Sequence, residues 1–261
     1  MSKRVSHGAD RKRSQSLSAR RADSSLLDPW IGPALKSVYH VLPIPRWFPP
    51  EGIVLTGHLL ALAGAVGFAY STSAWWGGLL LALGVVGNHT ADCIDGTHAR
   101  STDQCRNGGE LLDHFTDPLS FSYWMAGWGI ACDRLDLGIA AVICIYATAV
   151  LTSIKAKMMG EFTLASFGPT EFKTLLAIFG LVMAALVAGG ERAPIAAGEV
   201  ALRFFQVMLL VGIVQLVVNL VLAVREVNEH GGSPDTSEWE TTRAASADEE
   251  TEEGQRDTRI D

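Results

Sequence analysis

The chain has 261 residues, of which 48% are hydrophobic and 19% are charged, and its mean hydropathy is +0.22. Soluble domains carry about 25% charged residues, so this composition favours a membrane protein. The net charge of −7 disfavours a nucleic-acid-binding protein. The four cysteines include no CxxC pair, which disfavours a disulfide-stapled secreted domain, and we expect them to be free thiols.

The two ends of the chain are polar and opposite in charge. Residues 1–25 carry seven Lys or Arg against two acidic residues, whereas residues 231–261 carry three Arg against ten acidic residues. Neither end has enough apolar residues to form a core, so we expect a basic disordered tail over 1–25 and an acidic disordered tail over 226–261. Residues 26–225 between them are predicted to form the membrane domain.

The membrane domain begins with an amphipathic segment at 26–47, which mixes Leu, Trp, Ile and Val with Lys36, His40 and Arg46. This mixture is typical of an interfacial helix lying on the membrane, with an irregular linker as the alternative. Six apolar stretches follow, at about 52–70, 74–91, 110–131, 137–154, 173–189 and 200–224. Several are near the roughly 20 residues that cross a hydrocarbon core. The sequence therefore predicts an all-α integral membrane protein with six transmembrane helices.

The distribution of basic residues predicts the orientation of these spans. An even number of spans places both termini on the same side of the membrane. The basic N-terminal tail lies on that side, together with Lys155, Lys157 and Lys173 in the loop between the fourth and fifth spans. Because loops rich in Lys and Arg stay in the cytoplasm, we expect a multi-pass protein with both termini facing the cytoplasm.

Four acidic residues lie where the second predicted span ends and the third begins, namely Asp92, Asp95, Asp113 and Asp117. A carboxylate at the centre of a membrane helix costs about 2.5–3.5 kcal/mol, so four of them need a reason. The i,i+3 and i,i+4 spacings project each pair from one helical face, and two antiparallel helices can bring the pairs together. Converging carboxylates need cations, and two Mg²⁺ or Mn²⁺ ions, which prefer oxygen ligands, could clamp a diphosphate there.

The spacing of these acids, together with the small and basic residues between them, resembles the signature of the CDP-alcohol phosphotransferase family. The matching positions are Asp92, Asp95, Gly96, Ala99, Arg100, Gly109, Asp113 and Asp117. They fall between two predicted spans, which is where the family has them. The resemblance implies a six-span enzyme of phospholipid synthesis that has a cytoplasmic active site and forms a homodimer.

The resemblance also assigns roles to the four acids. Asp92, Asp95 and Asp113 would hold the metal ions, of which the resemblance implies two. Asp117 would complete the metal site and accept the proton of the attacking hydroxyl group.

Four further positions of the signature are expected to contact the CDP-alcohol, namely Gly96, Ala99, Arg100 and Gly109. The small residues would let the nucleotide and its diphosphate approach the helices closely, and the arginine would add cationic hydrogen bonds to phosphate. The sequence departs from the family at the first span, where Pro50 is followed by Glu51 instead of the frequent Asn.

Two residues outside the fixed signature have open roles. The run GELLDH, which ends at His114, looks most like the choline/ethanolamine phosphotransferase branch. A histidine there is an alternative general base to Asp117, or a structural residue that bonds the opposite helix. Glu171 in the segment FGPTE is either a residue favoured at a helix N-terminus or a contact for the acceptor or a cationic head group.

The resemblance implies transfer of a substituted phosphate group from a CDP-alcohol to an acceptor alcohol, with release of CMP. His114 favours CDP-choline or CDP-ethanolamine as the donor and diacylglycerol as the acceptor. The alternative is a CDP-diacylglycerol donor with a small polar alcohol such as inositol, serine or glycerol phosphate as the acceptor. Both alternatives require membrane lipids, and neither involves a nucleic acid.

Two distant alternatives also use acidic residues in membrane helices. An intramembrane prenyltransferase binds a diphosphate through Mg²⁺, but its more numerous spans and its second Asp-rich motif are missing from this sequence. A cation channel or transporter needs polar residues across the whole bilayer, whereas the outer halves of the second and third spans are largely apolar.

Overall fold

The computed structural model of the chain describes residues 26–159, 168–190, 193 and 195–231. Within these ranges the regular structure is helical and no strand occurs, so the predicted all-α class is confirmed. The four cysteines lie in the described part of the chain and are free, as predicted. The predicted basic tail, and the acidic tail beyond residue 231, lie outside the described residues.

Seven α-helices and one short 3-10 turn make up the described structure. The first helix, α1, covers Asp28–Ser37 and runs into the 3-10 turn Val38–His40. The remaining helices are α2 Pro50–Tyr70, α3 Trp75–Ser101, α4 Asn107–Ala131, α5 Leu135–Met159, α6 Pro169–Gly189 and α7 Ala197–His230.

Each of the six predicted spans corresponds to one helix, from α2 to α7. Five of these helices, α2, α3, α5, α6 and α7, are long and apolar enough to cross a membrane. Helix α4 is 25 residues long but less apolar, because its N-terminal half carries Asp113, His114 and Asp117. The helices α3 and α7 continue beyond the predicted spans to Ser101 and His230, since a helix needs backbone hydrogen bonds but not an apolar surface.

The segment predicted as an interfacial helix contains a shorter helix than its length suggests. Helix α1 has ten residues, and the chain after the 3-10 turn is irregular up to the start of α2. Pro43, Pro45 and Pro49 lie in this irregular part, and proline both removes a backbone donor and restricts the residue before it.

Helix α3 lies centrally, with α2 and α6 packed against it. Helix α4 packs on α2, α5 packs on α4, and α7 packs on α5. The core contains an aromatic cluster in which the rings of Trp128 and Phe205 stack with centroids 4.6 Å apart. Trp124 and Trp128 are both fully buried, and the Trp124 indole N–H donates to the Ala61 carbonyl at 2.9 Å. Both tryptophans are therefore packing residues.

Helices α3 and α6 approach until their backbones touch. A Cβ atom added at Gly78 would lie 2.4 Å from the carbonyl oxygen of Gly180 and 2.5 Å from the amide nitrogen of Ala184. A Cβ atom at Gly180 would lie 2.7 Å from the carbonyl oxygen of Gly78. Small residues at such a contact let membrane helices pack closely, and this contact fixes the position of α6 relative to α3.

We expect Gly78→Ala to destabilise the helical domain by about 1–3 kcal/mol, because the added methyl group must push two backbones apart. The change is measured by thermal unfolding in detergent. Gly198→Ala is the matched control, since a Cβ atom at Gly198 has no neighbour within 4 Å and should leave the unfolding temperature unchanged or raise it. Equal unfolding temperatures for Gly78→Ala and the wild type would contradict the close α3–α6 contact.

Candidate active site at one end of the helix bundle

The four predicted carboxylates line one pocket at the end of the bundle where α3 ends and α2, α4 and α6 begin. The described residues that line it are Val54, Gly57, His58, Asn88, Ala91, Asp92, Asp95, Asp113, Thr116, Asp117 and Ser120. Three helices therefore contribute: the N-terminal half of α2, the C-terminal half of α3 and the N-terminal half of α4. The convergence of the four acids follows the prediction from their spacing.

The local structure explains why the carboxylates meet. Asp92 and Asp95 lie one turn apart on α3, and Asp113 and Asp117 lie one turn apart on α4. Helices α3 and α4 are joined by the short connection 102–106 and both pack against α2, so acids from α3 and α4 line one pocket beside α2. The Asp95 carboxylate is mostly buried and accepts a hydrogen bond from the Gly96 amide.

A lysine on α6 binds two of these carboxylates. The Lys173 ammonium group lies 3.0 Å from Oδ2 of Asp92 and 3.0 Å from Oδ1 of Asp117. Its side chain is only 1% exposed. The ammonium group also lies 5.6 Å from the centroid of the Phe121 ring, within the range of a cation–π contact. Lys173 therefore connects α6 to both of the helices that carry the acids.

Sequence reasoning placed Lys173 in a basic loop, where it served only to predict orientation. The structure instead places it in the first turn and a half of α6, buried beside the acids. The available signal was its position at the start of an apolar stretch, because an ionisable residue within a membrane helix usually has a charged partner.

The chemistry of the donor set fits a divalent cation. Four carboxylates line one pocket, and among the described residues Lys173 is the lysine that pairs with two of them, so four ionised carboxylates would keep an excess of negative charge. Carboxylate oxygens are the ligands that Mg²⁺ and Mn²⁺ prefer. In the described part of the chain no three His, Cys, Asp or Glu side chains are placed as a finished ligand set. Binding an ion would therefore require the carboxylates to turn towards it.

Three histidines lie close to the acids. His89 is buried, with Nδ1 3.7 Å from Oδ2 of Asp92. His114 is half exposed, with Nδ1 3.9 Å from Oδ2 of Asp113. His58 lies on α2 and lines the pocket, and its Nδ1 is 3.5 Å from the Ser120 hydroxyl. Of these three, sequence reasoning proposed a catalytic role only for His114.

The four positions predicted to contact the CDP-alcohol lie outside the described lining of the pocket. Gly96, Ala99 and Arg100 occupy the last turns of α3, and Gly109 lies in the first turn of α4. Arg100 is exposed, and its guanidinium group lies over Gly96, where an added Cβ atom would be 3.2 Å from Nη1. These residues extend from the carboxylates towards the end of the bundle, and their contact with the substrate stays a prediction.

Glu171 fastens the N-terminal segment to α6. One carboxylate oxygen accepts the amide N–H groups of Leu26 at 2.7 Å and Leu27 at 3.0 Å. The other oxygen accepts the amide of Gly168, which is the N-cap residue of α6, at 2.9 Å. The Thr170 hydroxyl donates to Asp28 at 3.1 Å, which adds a further bond between α6 and α1. A head-group contact by Glu171 stays a prediction, and it would compete with these three amide donors.

The chain between α1 and α2 is fixed to the end of α3 by polar contacts, two of which are made by the buried side chain of His98. Nε2 of His98 lies 2.9 Å from the Phe48 carbonyl, which can only accept, so Nε2 carries the proton. Nδ1 of His98 then accepts the Tyr39 hydroxyl at 3.0 Å. Gln104 donates to the Arg46 carbonyl at 2.9 Å. These bonds hold the irregular segment against the helix that carries Asp92 and Asp95.

Comparison with known proteins agrees with this arrangement. The family model described as CDP-alcohol phosphatidyltransferase matches residues 50–224, which is more than half of the chain and includes every helix from α2 to most of α7. The chain belongs to the CDP-alcohol phosphatidyltransferase family. The resemblance inferred from the spacing of the acids, and the enzyme class that it implied, are thereby confirmed.

Curated relatives match parts of the chain. Cholinephosphotransferase 1 of Gallus gallus is 33% identical over 123 residues, which are 45% of this chain and 35% of the relative. The Homo sapiens protein of the same name is 37% identical over 94 residues, which are 34% of this chain and 23% of the relative. Phosphatidylinositol phosphate synthase of Mycolicibacterium smegmatis is 29% identical over 114 residues, which are 41% of this chain and 49% of the relative. In each case the match spans less than half of the relative.

These relatives and the helices support two further predictions. The matches to cholinephosphotransferases confirm the likeness to the choline phosphotransferase branch. The family and the five apolar helices support the prediction of an integral, multi-pass membrane protein.

We expect Glu171→Gln to loosen the N-terminal segment, because hydrogen bonds to a charged acceptor are worth about 1.5–3 kcal/mol and those to a neutral one about 0.5–1.5 kcal/mol. Hydrogen exchange of peptides covering residues 26–40 should become faster. The matched control is Glu199→Gln, which alters an exposed glutamate in the first turn of α7. Unchanged exchange over residues 26–40 in Glu171→Gln would show that the carboxylate does not hold this segment.

Proposed function

We propose that this protein transfers a substituted phosphate group from a CDP-alcohol to an acceptor alcohol and releases CMP, as a step of phospholipid synthesis. The observation that carries the proposal is the convergence of Asp92, Asp95, Asp113 and Asp117 in one pocket of a chain that belongs to this family. The acceptor hydroxyl attacks the phosphorus remote from cytidine. A new P–O bond forms, the P–O bond to CMP breaks, and CMP leaves with the electron pair.

The proposed donor is CDP-choline or CDP-ethanolamine, and the proposed acceptor is diacylglycerol. The similarity to cholinephosphotransferases supports this choice, as does the GELLDH run that ends at His114. The second candidate is transfer from CDP-diacylglycerol to a small polar alcohol. The similarity to a phosphatidylinositol phosphate synthase supports this second candidate.

Asp92, Asp95 and Asp113 are the proposed ligands of two Mg²⁺ or Mn²⁺ ions, with Asp117 as a further ligand. When bound, such ions supply positive charge that neutralises the diphosphate and the leaving CMP phosphate. The acids would hold such cations in the pocket, and Gly96, Ala99, Arg100 and Gly109 are proposed to receive the CDP-alcohol. This part of the proposal is supported by the oxygen-only donor set of the four acids.

His114 is proposed as the group that accepts the hydroxyl proton. Oδ1 of Asp117 already accepts a hydrogen bond from the Lys173 ammonium at 3.0 Å, so this oxygen is occupied by another donor. The His114 ring lies beside Asp113 and is half exposed, so a substrate hydroxyl can reach it. Asp117 then acts through its charge and not as the base.

The pocket is proposed to face the cytoplasm, where soluble CDP-alcohols are found. The N-terminal ends of α2, α4 and α6 and the C-terminal end of α3 lie at the pocket end of the bundle. Lys155 and Lys157 lie near the C-terminal end of α5, and the positive-inside rule places such an end in the cytoplasm. The homodimer expected from the family is retained as part of the proposal.

We expect the protein in lipid nanodiscs to release CMP from one matched pair of donor and acceptor, and only with Mg²⁺ or Mn²⁺. Asp113→Asn should lower this rate by at least about 100-fold, because several kcal/mol of charge stabilisation depend on the acids. The assay pairs CDP-choline, CDP-ethanolamine and CDP-diacylglycerol with candidate acceptors and quantifies CMP.

The control for Asp113→Asn is Asp136→Asn, which removes an exposed carboxylate paired with Arg134 at the other end of the bundle. Asp136→Asn should release CMP at the wild-type rate. Metal-independent release, or full activity of Asp113→Asn, would contradict the proposed site. Identical rates with all donors would contradict the proposed substrate.

We expect His114→Gln to lower kcat by about 10²- to 10⁴-fold while leaving the Kd for Mn²⁺ unchanged, because it removes a proton acceptor and no metal ligand. Asp117→Asn should alter the Kd for Mn²⁺ as well as kcat. Both constants are measured on the same nanodisc preparations, with His230→Gln as a control at the exposed end of α7. A wild-type kcat in His114→Gln would contradict His114 as the general base and favour Asp117 instead.

A further inference from the structure

Lys173 makes contacts that differ from those of an ordinary buried lysine. Its ammonium group is equidistant, at 3.0 Å, from oxygens of Asp92 and Asp117, which belong to different helices. The remaining side of the group lies towards the Phe121 ring. By comparison, Lys155 pairs with the carboxylate of Glu226 at 2.7 Å and is 20% exposed. Both ion pairs of Lys173 are therefore made with acids that line the pocket.

The oxygens that bind the ammonium group belong to the proposed metal ligands. Mg²⁺ requires oxygen ligands at about 2.0–2.1 Å in near-octahedral geometry, and an ammonium nitrogen bound to the same oxygens would lie close to the ion. A divalent ion and an ammonium group that share the same carboxylate oxygens repel each other strongly in a poorly hydrated site. A divalent ion that takes Asp92 and Asp117 must therefore displace the ammonium group or bind against its repulsion.

We propose that Lys173 is a built-in counter-cation of the carboxylate pocket, which lowers the affinity of the pocket for divalent ions by competing for Asp92 and Asp117. This inference rests on the metal site of the proposed function. When divalent ions are scarce, the lysine compensates the charge of two of the four carboxylates, so the protein stays folded without bound metal. Lys173 is in this sense a positioning residue, since it acts on the proposed metal ligands and not on the reacting atoms.

The test compares Mn²⁺ binding to the full chain and to two neutral variants, Lys173→Met and Lys173→Gln, without nucleotide. Free Mn²⁺ is measured by electron paramagnetic resonance at pH 8, and thermal unfolding is measured with and without Mn²⁺. Both neutral variants should bind Mn²⁺ about 10- to 100-fold more tightly. Changes around metal ligands alter metal affinity by about this factor, and here the change is a gain because a competing positive charge is removed. Without Mn²⁺ they should unfold at lower temperature than the wild type, and Mn²⁺ should raise their unfolding temperature more.

Two control variants separate the charge of Lys173 from its packing. Lys173→Arg keeps the charge and should retain the wild-type Kd for Mn²⁺. Lys155→Met removes a lysine that pairs with Glu226 elsewhere and should also retain it. A neutral variant that folds only when Mn²⁺ is present throughout purification supports the proposal, because the divalent ion then replaces the missing cation.

The outcomes distinguish this inference from the proposed function. A wild-type protein that binds Mn²⁺ and releases CMP, beside folded neutral variants that bind Mn²⁺ no more tightly, would overturn the role of Lys173 alone. A folded wild-type protein that neither binds Mn²⁺ nor releases CMP would overturn the proposed function and this inference with it.

Discussion

Mutual repulsion of four carboxylates is the constraint on which the rest of the structure depends. Like charges repel more strongly beside apolar helices than in water, because the effective dielectric is lower. Lys173 offsets part of this repulsion with two direct ion pairs. The helices α2, α4 and α6 all begin at this end, so the positive ends of their dipoles also lie there, although this effect fades beyond the first turn. Further positive charge at the pocket would complete the compensation.

The packing of the bundle determines whether Lys173 can reach both acids. Its two partners lie on α3 and α4, so α6 must be held at one distance from both helices. The backbone contact of Gly78 with Gly180 sets the approach of α6 to α3 several turns away. Helix α2 is held against α3 in a similar way, since a Cβ atom at Gly84 would lie 2.5 Å from the backbone of Gly64. Small residues remote from the pocket therefore control its electrostatics through the rigidity of the helices.

Sequence reasoning succeeded where the relevant information is local. Hydropathy located the six long helices, and the i,i+3 and i,i+4 spacings placed Asp92, Asp95, Asp113 and Asp117 on two helical faces that meet. It missed the ion pairs of Lys173, because a lysine at this position also fits the positive-inside rule. Only the tertiary packing of α6 against α3 and α4 shows that the lysine pairs with two acids. The extension of α3 to Ser101 was also missed, since hydropathy falls at the acids while the backbone hydrogen bonds continue.

The surroundings of the pocket suit a reaction between a polar substrate and a lipid substrate. On α2, Leu55 and Leu59 are exposed beside the lining residue His58, and on α4 Leu111 and Phe115 are exposed on the turns that carry Asp113. A polar pocket with exposed apolar side chains on the same turns can hold a diphosphate while acyl chains remain in the membrane. This arrangement serves both candidate directions of transfer, because the carboxylates meet the same diphosphate in each and only the substrate that carries the acyl chains changes. The choice between them therefore depends on residues that contact the head group, outside the four acids.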